Sequence, residues 1–388
     1  MKIAVTTLGI CVASLLALGL VMLYSSSMVL PDTADKLTHS LVGTKMLKNQ
    51  ALWSALAITA CVIMGSLDYS VLRKLAWPIF LISLALAALV FVPHLGIVKN
   101  GARRWIRMPG ASSFQPSEMV KLGIIIAVAW YAEYSQRKMG KFVRGALVPC
   151  LIIGAALSLV FIEPDRGTCI LMAGVTGVML LLAGTRWPHL ILIGLIALTA
   201  VLAVSKHDKM RQNRIAAWWN PDADQSGVNL QAKEAKKAIG AGGLIGVGLG
   251  NGLQKNGFVP EIQSDFIFAN IGEELGLVAT FLVVLAYFLI ACCGFQIARQ
   301  ASDQFGCLLA IGVTMLISSQ AIINMGVVTS LLPNKGLALP FISAGGSSLL
   351  AMFIGIGILF SVARQADPLK ISEPDFEPEV NPFAAKAT

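Results

Sequence analysis

The sequence predicts an all-α polytopic membrane protein with about ten transmembrane helices and one long extracytoplasmic loop. Three observations carry this. Hydrophobic residues make up 56% of the 388-residue chain and charged residues only 13%, against about 25% charged in soluble domains. Mean hydropathy is +0.74. The apolar residues also fall into separate runs long enough to cross a bilayer, about 17–25 residues each. The bilayer is the solvent, so no large soluble core is needed. The net charge of +9 belongs to the loops and points to no nucleic-acid partner.

The runs lie at 5–29, 50–67, 76–93, 117–133, 146–162, 169–184, 189–205, 267–295, 305–328 and 346–363. The first is too long for the h-region of a cleavable signal, about 7–15 residues. Gly and Ala recur in the runs, as expected where helices approach closely in lipid. The seven cysteines, Cys11, Cys61, Cys150, Cys169, Cys292, Cys293 and Cys307, lie in or beside these runs without C-x-x-C spacing. They read as small core residues. No internal repeat is evident, which counts against an inverted-repeat transporter. Residues 1–363 therefore form a single ten-helix membrane domain, with 206–264 as its long extracytoplasmic loop. The tail at 364–388 is proline- and acid-rich and reads as disordered. An even number of spans places both termini on one side. A slight excess of Lys and Arg in the short loops of that side assigns it to the cytoplasm.

The polar stretches between the runs hold the candidate chemistry. The 95–116 loop carries Lys99, Arg103, Arg104 and Arg107 with no acid. Basic residues on a non-cytoplasmic loop run against topology preference, so an anion is expected there. Arg suits phosphate because its planar fork binds two oxygens, and Trp105 reads as an interfacial anchor. Contact with lipid headgroups and contact with a substrate both fit this loop. Pro116 opens the fourth run, where Glu118 and Lys121 form an i,i+3 pair. EPDRGT then joins two runs, placing Glu163 and Asp165 beside hydrocarbon, where carboxylates are costly unless paired or used.

In the long loop, Asp222 and Asp224 match a metal-binding D-x-D in form but lack the α/β nucleotide-binding domain that motif needs. The glycine-rich stretch at 240–252 fits neither dinucleotide nor P-loop spacing. It reads as backbone that turns tightly or approaches a ligand closely. Lys255 and Glu261 follow. Asp265 stands where the polar loop meets the apolar run, and an ionisable group at that boundary is a functional candidate. Glu273 and Glu274 read as acids near a helix N-terminus. Finally, Pro333, Pro340 and the Gly345–Gly346 pair break regularity between the last two runs, beside Lys335 and Ser343. Irregular backbone at that depth needs protein or a wet cavity around it.

Together NGARRWI with FQPSE, EPDRGT, AIGAGGLIGVGLGNGLQK, VPEIQSDFIFANIGEELG and LLPNKGLALPFISAGGSSLL resemble the SEDS family (shape, elongation, division and sporulation), ten-helix proteins typified by FtsW and RodA. The resemblance covers residues 8–365 and looks more like the FtsW division branch because of Lys335. Ala344, Asn334 and Arg166 depart from the family's usual tyrosine, threonine and apolar residue. The resemblance implies a peptidoglycan glycosyltransferase of the bacterial inner membrane, acting at the division septum. It implies lipid II as substrate, and a class B penicillin-binding protein and other divisome proteins as partners. The family's essential carboxylate matches Asp265.

On this reading Asp265 is the general base for a sugar hydroxyl. Substrate binding falls to Arg103, Arg104, Trp105, Lys255, Glu261, Lys335 and Ser343, with Glu118, Lys121, Glu163 and Asp165 lining the site. Pyrophosphate needs cationic side chains or a divalent cation, Mg or Mn, held by Glu163, Asp165 or Glu261. A lipid II flippase and a non-catalytic divisome scaffold are the other readings, and neither requires Asp265 as a base.

Overall fold

The computed structural model describes residues 1–27, 36–99, 102–107, 113–205, 218–219, 230–253, 263–333 and 336–366. Each of the predicted apolar runs falls on a helix. They are α1 (Lys2–Ser27), α2 (Lys36–Ser66), α4 (Ala76–Ala88, extended by a 3-10 turn at Leu89–Phe91), α5 (Ser117–Tyr134), α6 (Val148–Ile162), α7 (Arg166–Leu182), α8 (Trp187–Ser205), α10 (Ile267–Arg299), α11 (Gln304–Val328) and α12 (Gly346–Arg364). Short α3 (Tyr69–Lys74) precedes α4, and α9 (Leu230–Gly242) precedes α10. The disordered-tail expectation concerns residues almost wholly outside the described ones.

Helix α5 lies at the centre, with Ile124, Ile125, Ala127, Val128 and Ala129 all buried. Its neighbours include α4, α7, α11 and α12. A helix apolar on every side belongs in such an interior position. By contrast, Leu192, Leu195, Ile196 and Leu198 of α8 are exposed, which is the ordinary condition of a lipid-facing helix. One end of the bundle is tied by Arg73, which pairs with Glu133 at 3.3 Å and with Asp303. At the same end, Ser361 Oγ donates to the Leu67 carbonyl at 2.6 Å. The candidate residues gather at the opposite end.

Three features there differ from the sequence expectation. The 95–116 loop is a three-stranded antiparallel sheet of β1 (Gly96–Lys99), β2 (Ala102–Arg107) and β3 (Ser113–Phe114), in the order β1-β2-β3. Within the long loop, α9 buries Ala235 and Ala238 while Lys236 and Lys237 face out.

The third difference concerns α10, which is not one continuous helix. Gly276 has φ 77° and ψ −170°, so a half-helix at 267–275 precedes the span proper. The groups freed by the break pair with the glycine-rich loop. Val247 N donates to Glu273 O (2.9 Å) and Gly248 N to Glu274 O (3.0 Å). In return, Leu277 N donates to Gly243 O (2.9 Å) and Val278 N to Leu244 O (3.2 Å). A Cβ at Gly276 would lie 2.4 Å from Gly246 N, so glycine is required by both conformation and contact. The glycine-rich stretch thus approaches another backbone closely, where the sequence allowed for a ligand. Glu273 and Glu274 sit at the end of that half-helix, directly before the N-terminus of the span proper.

Candidate active site

Asp265 lies between two irregular segments that hold each other. Ser343 Oγ donates to Ser264 O at 2.5 Å and accepts from Leu339 N at 2.8 Å. Ala344 N donates to Gln263 O at 2.9 Å. From α11, the Asn324 amide donates to the carbonyls of Asp265 (2.8 Å) and Leu337 (2.7 Å). The half-buried Asp265 carboxylate rests against Gly336, where a Cβ would fall 2.4 Å from Oδ2. Backbone that leaves the helical ladder at this depth must find partners in protein, and α11 supplies them. Tyr287 OH adds a hydrogen bond to Pro340 O.

The Glu118–Lys121 pair joins the same network. Lys121 Nζ stands 2.8 Å from Glu118 Oε1 and donates to Gln320 Oε1 at 2.9 Å. Gln320 Nε2 in turn donates to Ala338 O at 2.8 Å. Both charged residues are buried, Lys121 completely. The pair therefore supports the 336–344 segment from beneath.

The acidic turn between α6 and α7 borders this segment too, since a Cβ at Gly167 would stand 3.5 Å from the Leu337 side chain. Asp165 caps α7, accepting from Thr168 N (3.2 Å) and Thr168 Oγ1 (2.9 Å), with Gln115 Nε2 at 3.3 Å. Arg104 grips the turn by its backbone. Nε donates to Glu163 O (3.1 Å) and the terminal guanidinium nitrogen to Pro164 O (2.6 Å). Opposite the step from Ile97 to Val98, Arg104 is the extra residue of a bulge that interrupts the alternation of β2, and Arg103 is exposed. Two adjacent arginines of one motif therefore do different work.

Glu163 is fully buried, and neither carboxylate oxygen has a hydrogen-bond partner among the described residues. Burial, followed by the neighbouring Asp165 charge, pushes its carboxyl up from 4.5 to about 8, against the pull of Arg104. The folded protein then binds a proton that the unfolded chain releases. That contribution to stability is complete below about pH 4.5 and lost as pH rises through about 8. The melting temperature should fall as pH rises between these values, with a slope that Glu163→Gln flattens. Identical slopes in the two proteins would remove Glu163 as its source.

The structure thus brings Asp265, Ser343, Glu118, Lys121, Glu163, Asp165 and Arg104 to one end of the bundle. Lys255, Glu261, Lys335, Asp222 and Asp224 lie outside the described residues. Sequence reasoning missed Gln115, Gln320, Asn324 and Gly336. The only available signal was the i,i+4 spacing of Gln320 and Asn324 within an apolar run. Among the described residues no three His, Cys, Asp or Glu side chains come together to hold a metal ion, and Asp165 is committed to its cap. Glu261, the third candidate ligand, lies outside the described residues.

A family model described as a cell cycle protein, FtsW/RodA/SpoVE, matches residues 6–367. A probable peptidoglycan glycosyltransferase FtsW from Trichlorobacter lovleyi is 38% identical over 352 residues, covering 91% of each chain. Stage V sporulation protein E from Bacillus subtilis is 38% identical over 351 residues, covering 90% of this chain and 94% of that protein. Among solved structures, a peptidoglycan synthase complex that coordinates polymerization and crosslinking superposes with a TM-score of 0.75 at 28% identity, covering 92% of this chain and 96% of that one. The rod shape determining protein RodA of Thermus thermophilus superposes with a TM-score of 0.66 at 28% identity, with the same coverage. With a matched model spanning nearly its whole length and relatives this similar, the chain is a member of the FtsW/RodA/SpoVE family of polytopic membrane proteins.

Proposed function

We propose that this protein is a peptidoglycan glycosyltransferase that polymerises lipid II, with Asp265 as general base. The observation that carries the reading is the Asp265 carboxylate, set against Gly336 between two irregular segments that fix each other. The name of the FtsW relatives supports the activity. In the reaction the acceptor sugar hydroxyl attacks the anomeric carbon of the donor and its proton passes to Asp265. The new C–O bond forms as the bond to pyrophosphate breaks, and the lipid pyrophosphate leaves with the electron pair, inverting the centre. Arg103 meets the pyrophosphate charge, while Arg104 holds the turn that borders the site.

Similarity to a chain solved in a peptidoglycan synthase complex supports a single-span class B penicillin-binding protein as partner, with other divisome proteins at the septum. The carbohydrate-handling end then faces outward and both termini lie in the cytoplasm. The test is glycan-chain formation from lipid II by purified protein with and without that partner. Polymer that appears in neither case, alongside movement of lipid II across vesicles, favours the flippase. Partner recruitment without either activity favours the scaffold.

The arginines give a sharper check. Arg103→Ala should raise KM for lipid II about tenfold, the loss of one charge-assisted contact, with thermal stability unchanged. Arg104→Ala should lower thermal stability as well, since two backbone carbonyls lose their donor. Wild-type kinetics for Arg103→Ala would return that residue to a headgroup contact.

A further inference from the structure

We propose that Ser25, Glu273 and Glu274 are positioning residues that lock the half-helix behind Asp265, an inference resting on the reading of Asp265 as base. Asp265 leads directly into the half-helix at 267–275, so the base moves with that element. Its near end is held by Asn324 and Ser343. At its far end, Glu274 Oε2 accepts from Ser25 Oγ at 2.5 Å and from Gly250 N at 3.1 Å. Gly250 N also reaches Ser25 Oγ at 3.1 Å, closing a three-membered cluster. Glu273 Oε1 accepts from Leu253 N at 2.7 Å. Successive helical side chains point about 100° apart, so the two glutamates grip the loop at separate places.

Both glutamates are buried, Glu274 completely, and so is Ser25. Buried carboxylates are costly even when hydrogen-bonded, and apolar residues fill space at less cost. What the carboxylates add is direction. They tie the half-helix to α1 through a hydroxyl 249 residues away in sequence and to the loop that runs toward Asp265. The broken ladder at Gly276 makes such a tie necessary, because the span proper no longer continues the half-helix. A base displaced by about 1 Å costs about 10²-fold in rate, so the lock acts on turnover without touching substrate.

The experiment compares purified wild type, Ser25→Ala, Ser25→Thr, Glu274→Gln and Asp265→Asn. Steady-state lipid II polymerisation is measured well below every melting temperature, together with KM. Ser25→Ala should lower kcat about fivefold, the equivalent of one hydrogen bond, and Ser25→Thr should restore it. Glu274→Gln should lower kcat about 10²-fold, with KM at the wild-type value throughout. Wild-type kcat in folded Ser25→Ala and Glu274→Gln, beside an inactive Asp265→Asn, overturns the lock alone. Wild-type kcat in Asp265→Asn overturns the base itself. If Glu274→Gln does not fold, the Ser25→Ala and Ser25→Thr pair decides, since failure of Thr to rescue also overturns the lock.

Discussion

Asp265→Asn should lower glycan polymerisation by about 10²–10⁴-fold while lipid II binding changes far less, the signature of a lost general base. The substitution preserves size and hydrogen-bonding capacity, and backbone contacts help to fix this position. The Asp265 carbonyl accepts from Asn324, and the preceding Ser264 carbonyl accepts from Ser343. The asparagine should therefore occupy the same place against Gly336. Polymerisation and binding by the purified variant are to be measured beside wild type. Near-normal polymer formation rejects the base assignment and directs attention to Glu163, whose buried carboxyl lies in the neighbouring turn. Equal loss of binding and turnover assigns Asp265 to holding substrate.

The second large effect is on stability. Lys121→Met removes the cation from a wholly buried pair and leaves Glu118 enclosed without it. Such a break costs about 3–5 kcal/mol, because the remaining charged group keeps its desolvation penalty. Lys121 also supports Gln320, and through it the Ala338 carbonyl, so activity should fall with stability. The double variant Glu118→Gln with Lys121→Met should recover most of the lost stability, since no unpaired acid remains. Thermal unfolding in detergent measures both. A single variant as stable as wild type would show that the pair contributes nothing net, and a double variant no better than the single would place the loss in Gln320.

The positions of the helices were legible because hydropathy reports directly on solvent. Each apolar run meets lipid or other helices along its length, and each polar stretch marks an end. Asp265, Glu163, Asp165 and the Glu118–Lys121 pair were legible for the same reason, as charged groups standing next to hydrocarbon. The division of work between Arg103 and Arg104 was not, because it depends on a bulge in a strand and on the turn that Arg104 reaches. The 95–116 loop gives little sign of that strand, since its pairing partners come from the same short polar segment.

The sequence by itself determined the membrane class, the order of spans and the set of charged groups that the apolar chain must accommodate. Tertiary structure alone decided which partners those groups meet. Glu274 beside an apolar run is legible as an acid near a helix N-terminus, and only the approach of α1 adds the hydroxyl of Ser25. Gly276 in sequence is one small residue among many, yet the glycine-rich loop lying against it makes it the break in α10. Hydropathy is a local property that each residue carries alone. A hydrogen bond between Ser25 and Glu274 exists only when segments 249 residues apart arrive together, and nothing in either segment's own composition records that meeting.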